Sequence, residues 1–467
     1  STPALGKTTT TGDTALRIYM NKIAPFPCGK INLGLNITRK RSDGYHDLET
    51  VFCPVPIADI LTIEKNGKPA GCSLKTNGIV IDGRAEDNII VKAYDEMARR
   101  HTLTGVDITI TKNIPIQAGM GGGSADCAFT IKGLNQLFSL NLTDREMRDI
   151  AKGLGADCAF FINPTPAYAT GIGEKLTPVD IPLDNHWIVI VKTDTAVSTR
   201  EAFAGICPHE PERNCRDIVT SVPPREWKDV LYNDFEETIF KLHPTLAEIK
   251  QRLYEAGACY ACMSGSGSAV VGLFDGRPSV ESTDRLRSDY NALVATFKLG
   301  RQKDNAFELL PLVDAEGRVT GKTTRSMAHC GTKLLHPVVH LHVFDTHGNL
   351  YLQKRPAWKD IQPDRWDTAV GGHIGYGESV EEALQRETRE EISIADFSAE
   401  KIDAYVFESR YEREYVNVFK TVYDKEIRPS ENELDGGRFW SRDEILSSIG
   451  KGVFTPNFES EYVKYLK

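Results

Sequence analysis

One stretch of this sequence, residues 119–126, has a composition that directly suggests chemistry, reading Gly-Met-Gly-Gly-Gly-Ser-Ala-Asp. It follows the strand-like segment 106–110, and a helix is predicted to begin near Ala125. Glycines at a strand-to-helix junction let the backbone approach a phosphate closely, and the start of a helix offers unpaired N–H groups. The stretch therefore predicts a loop that binds the phosphates of a nucleotide, and a tight flexible turn is the alternative.

Three other short segments complement this glycine-rich stretch. Lys30 lies in Lys-Ile-Asn-Leu, Asp157 ends Gly-Ala-Asp, and a second small-residue turn covers residues 264–268. Phosphoryl transfer needs a nucleotide cradle, a cation near the reacting oxygens and a carboxylate that orients or deprotonates the acceptor hydroxyl. The loop, Lys30 and Asp157 supply one of each. The alternative is that Asp157 caps a helix and Lys30 is a surface charge.

The C-terminal third contains a second pattern, which is acidic. Glu387, Glu390 and Glu391 are spaced i, i+3 and i+4, so they share one face of a helix. Clustered carboxylates repel one another unless cations neutralise them, and hard oxygen ligands suit Mg²⁺ or Mn²⁺, which bind a diphosphate. Arg386 and Glu378 would hold this segment together or add a ligand. The alternative is a solvated acidic helix face.

Taken in order, the motifs of the first half resemble the GHMP small-molecule kinases over roughly residues 22–300. Within that family they are most similar to the branch that phosphorylates a cytidyl-diphosphate-linked methylerythritol in the non-mevalonate isoprenoid pathway. The resemblance implies an α+β, two-lobed kinase that uses ATP with Mg²⁺. It implies that Asp157 accepts the proton of the acceptor hydroxyl and that Lys30 stabilises the developing charge. A kinase for another small alcohol is the alternative.

The same resemblance implies the binding residues. The ATP phosphates would contact Gly119, Gly121, Gly122, Gly123 and Ser124, and the adenosine side would be lined by Asn88. Tyr45 and Phe203 would sandwich the cytosine ring, and His46 would hydrogen-bond its edge; core packing is the alternative for the two aromatic residues. The remaining substrate contacts would come from Asn32, Thr199, Ser266 and Gly267.

Residues 372–394 resemble the Nudix box, which implies an α/β Nudix fold for the C-terminal domain. Thr388 departs from the box, where an aliphatic residue is usual, and Ser393 stands in place of the closing glycine. The surrounding region is similar to type 1 isopentenyl-diphosphate isomerase, and this similarity implies additional metal ligands at His329, His336, His373, Glu412 and Glu414. Strand and turn packing is the alternative for the histidines, because His336, His340 and His342 alternate along one strand face.

Gly371 stands where the isomerase needs a cysteine, so one of its two proton-transfer groups is missing. Hydrolysis of a diphosphate is therefore the predicted activity of this domain, on either a nucleoside-diphosphate-linked compound or an isoprenoid diphosphate. The alternatives are an isomerase-like domain and a non-catalytic regulatory module.

The overall composition agrees with an enzyme of small molecules. The chain has 467 residues and a net charge of −9, which favours more than one domain and disfavours nucleic acid as a partner. No apolar run is long enough to cross a bilayer, and the 10 scattered cysteines favour a reducing, cytoplasmic setting. The predicted organisation is an N-terminal extension at 1–19, the kinase at 20–302 and the Nudix domain at 303–467.

Overall fold

The structure is a computed structural model, which describes residues 17–19, 21–81, 83–300, 306–359 and 361–467. Its contacts divide the chain into two compact units, Ser1–Phe307 and Glu308–Lys467. The predicted domain boundary after residue 302 lies outside the described residues, as does most of the predicted extension at 1–19. Within that extension, Arg17–Tyr19 forms a strand that pairs with Lys22–Ala24.

The first unit contains three sheets. Its strands are β1 (Arg17–Tyr19), β2 (Lys22–Ala24), β3 (Cys28–Lys40), β4 (His46–Ala58), β5 (Ile60–Lys65), β6 (Cys72–Gly78), β7 (Val106–Lys112), β8 (Ala167–Thr170), β9 (Lys175–Pro178), β10 (Trp187–Lys192), β11 (Tyr260–Met263), β12 (Val270–Phe274) and β13 (Leu293–Lys298). The strand orders are β1-β2-β5-β7-β6, β3-β4-β8-β9 and β11-β12-β10-β13. The β6–β7 pair is parallel.

The helices of this unit are α1 (Ile89–Arg100), α2 (Gly122–Leu137), α3 (Asp144–Lys152), α4 (Thr199–Ala204), α5 (Cys215–Ser221), α6 (Phe235–Leu242), α7 (Pro244–Glu255) and α8 (Val280–Tyr290). Short 3₁₀ turns cover Ala85–Asp87, Ala156–Ile162 and Pro224–Asp229. Helix α2 is buried on nearly every side, in a core that it shares with β5 and β7. A helix held in this way gives the residues at its N-terminus a fixed position.

The second unit contains a two-stranded and a seven-stranded sheet. Its strands are β14 (Leu309–Val313), β15 (Val319–Thr324), β16 (His336–Phe344), β17 (Leu350–Lys354), β18 (Trp366–Asp367), β19 (Val370–His373), β20 (Glu400–Glu408), β21 (Arg413–Val422) and β22 (Gly437–Trp440). The large sheet has the order β18-β17-β16-β21-β20, with β19 on β16 and β22 on β17. Strands β16 and β21 are parallel.

The helices of the second unit are α9 (Arg325–Ala328), α10 (Val380–Ile392), α11 (Arg442–Ser448) and α12 (Pro456–Glu461), followed by a π-helical turn at Tyr462–Leu466. Ser379 and Glu382 form a capping box at the start of α10. The mixed helix and strand content of both units agrees with the predicted fold classes. Within the part of the chain that the structure describes, no helix combines the length and apolarity needed to span a membrane.

Candidate active sites

The glycine-rich stretch forms a tight loop against a second turn of the first unit. Helix α2 begins at Gly122, three residues before the predicted start, so the glycines themselves form its first turn. Gly119 and Gly121 adopt φ values of +73° and +70°, which favour glycine. A Cβ atom at Gly119 would lie 1.8 Å from the carbonyl oxygen of Ser264, whereas one at Gly123 would meet nothing within 4 Å. The loop is therefore closely packed behind Gly119 and open at Gly123, as a phosphate site requires.

Lys30 joins this loop to the predicted base. Its Nζ donates to the carbonyl oxygen of Gly119 at 3.0 Å and to Oδ1 of Asn32 at 2.7 Å, and it lies 3.6 Å from Oδ2 of Asp157. Burial lowers the pKa of Lys30, and the charge of Asp157 opposes that shift. The Asp157 side chain keeps 32% of its exposure. One ammonium group thus connects the loop, Asn32 and a carboxylate that a substrate can reach.

A buried ionic cluster lies behind the loop, and the sequence analysis did not anticipate it. Lys112, at the end of β7, contacts Asp59 and donates to Asp126 of α2 at 2.7 Å. Asp59 also accepts from the backbone N–H groups of Asn113 and Ile114. These contacts fix the start of α2 against the sheet. Asp126 was part of the glycine-rich motif, but its partner Asp59 is distant in sequence.

The second turn, residues 263–269, is held by side chains that the sequence analysis missed. The amide of Asn233 donates to the carbonyl oxygens of Met263 and Gly265 at 2.9 and 2.8 Å. The N–H of Met263 donates to Glu236 at 2.8 Å. The segment Asn-Asp-Phe-Glu at 233–236 contains both partners, and its polar spacing was the available signal. The turn carries the predicted substrate residues, half-buried Ser266 and buried Gly267.

The predicted cytosine-binding residues are brought together only in part. The rings of His46 and Phe203 stack with centroids 4.8 Å apart and an interplanar angle of 23°. Phe203 also meets Phe235 edge to face, while Tyr45 is 61% exposed. Thr199 is the first residue of α4, the helix that carries Phe203. A cytosine between Tyr45 and Phe203 would have to insert where His46 now stacks, so this sandwich stays a prediction.

Asn88 and Ser124 occupy helix starts. Asn88 caps α1, and its Oδ1 accepts from the N–H of Ile90 at 2.9 Å. Ser124 lies in the first turn of α2. Their predicted contacts with ATP stay predictions.

The acidic pattern of the second unit is organised by Arg386. This guanidinium contacts Glu378 at 2.8 Å, Glu387 at 2.7 Å and Glu390 at 3.4 Å, and it also donates to the carbonyl oxygen of His373 at 2.9 Å. All three box carboxylates lie on α10, as predicted. Arg386 therefore ties the helix to the loop that precedes it.

Glu391 is buried and Glu387 is half-buried, and both environments favour a cation. Burial raises the pKa of Glu391 to about 8, and the neighbouring Glu387 adds to the shift. Burial also raises the pKa of Glu387, against the effect of Arg386. A Cβ at Gly372 would lie 2.0 Å from the Glu387 carboxyl carbon, so glycine is needed there. Such carboxyls fit Mg²⁺ or Mn²⁺, which would favour their ionised form.

The two departures from the box have local structural explanations. Ser393 ends α10 in the left-handed region, with φ of +60°, as expected for the closing position. Thr388 is buried, and its hydroxyl donates to the carbonyl oxygen of Leu384 at 2.6 Å. Both residues keep the helix intact, at the modest cost of one strained backbone conformation.

Three of the predicted histidines converge. Ligand atoms of His329, His336 and His373 lie within 4.8 Å of one another. The Nδ1 atoms of His329 and His336 contact Glu412 and the carbonyl oxygen of Leu334, at 2.7 and 2.8 Å. Partners of this kind orient metal-ligating imidazoles. Among the described residues the box carboxylates do not form a group of this closeness.

Two members of the histidine cluster, His336 and His373, favour their neutral forms, and one ring nitrogen of His336 lacks a partner. Burial, reinforced by the neighbouring His329, lowers the pKa of His336 to about 4. Burial also lowers the pKa of His373, and nearby Arg325 adds to the shift. The buried Nε2 of His336 has no hydrogen-bond partner. Neutral imidazoles with an unsatisfied nitrogen fit a Zn²⁺, Mn²⁺ or Mg²⁺ ion.

The other histidines of β16 contact a buried carboxylate instead. His340 Nδ1 and His342 Nε2 each lie 2.7 Å from Glu461, and the Tyr405 hydroxyl donates to the same carboxylate. The predicted ligand Glu414 has a pKa raised to about 8 by burial and by Glu412. Thus His336 belongs to the histidine cluster with His329 and His373, while His340 and His342 on the same strand form a polar network with Glu461.

Gly371 lies between the box carboxylate Glu391 and the polar network of His340. Its N–H donates to Glu391 at 3.1 Å, and it pairs across the sheet with His340. A Cβ there would meet His340 at 3.5 Å, an ordinary contact distance. The backbone therefore has room for a side chain where the isomerase carries its thiol.

Comparison with known proteins agrees with both parts of the molecule. The descriptions that match are "GHMP kinases N terminal domain" at residues 88–164, "GHMP kinases C terminal" at 224–298 and "NUDIX domain" at 334–458. A protein of Bacteroides fragilis named 4-diphosphocytidyl-2-C-methyl-D-erythritol kinase is 48% identical over 260 residues, which are 56% of this chain and 94% of that protein.

A protein of Porphyromonas gingivalis with the same name is 42% identical over 257 residues, covering 55% of this chain and 93% of that protein. A crystal structure titled as 4-(cytidine 5'-diphospho)-2C-methyl-D-erythritol kinase matches with a TM-score of 0.50 and 30% identity, covering 59% of this chain and all of that one. These findings confirm the predicted kinase and Nudix folds. The chain therefore belongs to the 4-diphosphocytidyl-2-C-methyl-D-erythritol kinase family of GHMP kinases, and it carries a NUDIX domain after the kinase.

Proposed function

We propose that the first unit transfers the γ-phosphoryl group of ATP to the 2-hydroxyl of 4-diphosphocytidyl-2-C-methyl-D-erythritol, giving the 2-phosphate and ADP. The observation that carries this proposal is the position of Lys30, whose ammonium group contacts both the Gly119 carbonyl and the Asp157 carboxylate. The relatives that share this unit along nearly their whole length carry the name of that kinase.

Each residue has a role that follows from its contacts. The open N–H groups at Gly123 and Ser124 bind the ATP phosphates, and the Mg²⁺ that accompanies ATP would neutralise their charge. Asp157 accepts the proton of the 2-hydroxyl or orients that group for attack. Lys30, whose Nζ lies 3.6 Å from Oδ2 of Asp157, would stabilise the developing alkoxide.

The experiment that tests this assignment is ADP release by the full chain with ATP, Mg²⁺ and 4-diphosphocytidyl-2-C-methyl-D-erythritol, with the product identified by mass spectrometry. We expect turnover with this substrate and none with mevalonate or homoserine. Turnover with another small alcohol, and none with the cytidyl substrate, would contradict the proposed substrate while leaving the kinase chemistry in place.

For the second unit we propose Mg²⁺- or Mn²⁺-dependent hydrolysis of a diphosphate. The metal would be held by Glu387, Glu390 and Glu391, and it would polarise the diphosphate. The cluster of His329, His336 and His373, with Glu412 and Glu414 beside it, would hold a second ion. Gly371 favours hydrolysis over isomerisation, because it leaves no thiol to move a proton.

Two substrate classes fit this proposal, a nucleoside-diphosphate-linked compound and an isoprenoid diphosphate. The polar network of Glu461, His340 and Tyr405 does not decide between them, because its groups are paired with one another and the Glu461 side chain is fully buried. A screen of both substrate classes with Mg²⁺ and Mn²⁺, read by phosphate and nucleotide release, tests this choice. Deuterium exchange at allylic carbons of an isoprenoid diphosphate would instead support an isomerase. No change in any diphosphate, with altered kinase kinetics after removal of the unit, would support a regulatory module.

A further inference from the structure

The kinase unit contains a cluster of potential metal ligands away from its active site. His186 precedes β10, Cys259 precedes β11 and Asp275 follows β12. Strand β12 is antiparallel to both β10 and β11. The start of each outer strand therefore lies beside the end of β12, and the three side chains meet at one edge of the sheet.

The distances within this cluster suit a small divalent cation. One ligand atom from each of the three residues lies within 4.8 Å of the others, and His186 Nε2 is 3.3 Å from Asp275 Oδ1. Tetrahedral zinc, with bonds of about 2.0–2.3 Å, places its ligand atoms about 3.3–3.6 Å apart. The His186 nitrogen and the Asp275 oxygen already have this spacing, and the Cys259 sulfur lies within 4.8 Å of both.

The chemistry of the three groups limits which metal ion they can bind. The His186 nitrogen that faces Asp275, and would bind the ion, is Nε2; the other ring nitrogen, Nδ1, is buried without a hydrogen-bond partner. A set of sulfur, nitrogen and carboxylate ligands suits Zn²⁺ and disfavours Mg²⁺ and Ca²⁺.

One neighbouring cation opposes metal binding but leaves it feasible. Arg225 donates from Nε to the second oxygen of Asp275 at 2.9 Å, so the first oxygen stays available. The Arg225 side chain is 76% exposed and can turn into solvent. We propose that His186, Cys259 and Asp275 form a zinc site with water as the fourth ligand, and that the bound ion links the adjacent ends of β10, β11 and β12.

The test uses Co²⁺ as a spectroscopic substitute for Zn²⁺ in the full-length protein after chelator treatment. We expect a thiolate-to-cobalt charge-transfer band in the near ultraviolet that saturates at about one equivalent, together with tetrahedral d–d bands. Cys259→Ser and His186→Asn should each lose the charge-transfer band. Cys207→Ser changes an exposed thiol of the same unit and should keep it.

Two further measurements separate this site from others. His373→Ala should keep the band, because the clustered ligand atoms of the C-terminal site are imidazole nitrogens. Zn²⁺ should raise the melting temperature of the Cys207→Ser protein but not that of Cys259→Ser, whose circular dichroism shows whether it folds. Absence of the band from the wild-type protein, or its survival in Cys259→Ser, would overturn the proposal.

Discussion

The kinase site and the NUDIX site treat buried charge in opposite ways. In the kinase unit, buried Lys30 lies near Asp157, and buried Lys112 lies between two carboxylates. In the NUDIX unit, no oppositely charged side chain offsets the burial of Glu391 and His373 among the described residues, and burial shifts the pKa of each group towards its neutral form. The buried charges of the kinase site are thus paired within the protein itself. Glu391 and His373, which are proposed as metal ligands, are not paired in this way, so we expect a bound cation to stabilise the folded NUDIX unit.

The largest expected effects come from ablating each site separately. Asp157→Asn keeps the shape of the side chain but cannot accept a proton, so ADP release should fall by about 10²- to 10⁴-fold. Diphosphate hydrolysis by the same protein should be unchanged. Steady-state assays of both reactions on one preparation provide the measurement.

Glu387→Gln is the reciprocal change. It should lower the rate of Mg²⁺-dependent hydrolysis by about tenfold or more and leave the rate of ADP release unchanged. If either substitution reduced both activities equally, the two sites would not be chemically separate.

The buried Glu461 is the exception to this contrast within the NUDIX unit, because it has a charged partner in His340. Replacing it by Gln should destabilise this unit by about 3–5 kcal/mol, the usual cost of breaking a buried ion pair. Hydrogen exchange in the peptide that covers 336–344 would report the loss locally.

The pH dependence of this effect has a definite sign. Burial opposes the charge on His340, but Glu461 raises its pKa from 6.5 to about 9. Stabilisation from His340 is therefore complete below pH 6.5 and is lost as pH rises through 9. The imidazoles lower the pKa of Glu461 despite its burial, so its contribution is present above pH 4.5 and falls away in acid. In the wild-type protein, protection of the 336–344 peptide from hydrogen exchange should be greatest between about pH 4.5 and 9. Glu461→Gln should remove this pH dependence.

A smaller effect separates two glycines of the same loop. Gly119→Ala forces a side chain onto the Ser264 carbonyl at a positive φ, so it should cost more than about 1–2 kcal/mol in stability. Gly123→Ala meets open space, and its stability should change little while the KM for ATP rises. Equal melting temperatures for the two variants would contradict the packing described for Gly119.

The smallest expected effect concerns Phe203, which is predicted to stack on the cytosine ring. Phe203→Leu removes the ring that stacks on His46, and aromatic pairs contribute about 0.5–1.5 kcal/mol. The KM for the cytidyl substrate should therefore rise about 2- to 12-fold, with the KM for ATP unchanged. A parallel rise in both constants would assign Phe203 to packing against Phe235.

Local sequence patterns predicted the parts of each site that depend on backbone geometry. The glycines predicted the loop, and the spacing of Glu387, Glu390 and Glu391 predicted one helix face. Contacts between distant segments were not predictable in this way. Asp59 lies 53 residues from Lys112, and Glu461 lies 121 residues from His340, so no periodicity links them. Alternation placed His336 and His340 on one face but could not show that only His336 joins the cluster.

Gly371 has a consequence for engineering. Its neighbour Gly372 could not carry a side chain without displacing Glu387, but Gly371 could, and its backbone is not confined to the left-handed region. Gly371→Cys should therefore fold and would place a thiol beside His340 and Glu391. Single substitutions at position 371 can therefore test whether a thiol there gives this domain isomerase activity. Steric fit does not dictate glycine at this position, so its identity can follow from the reaction that the domain catalyses.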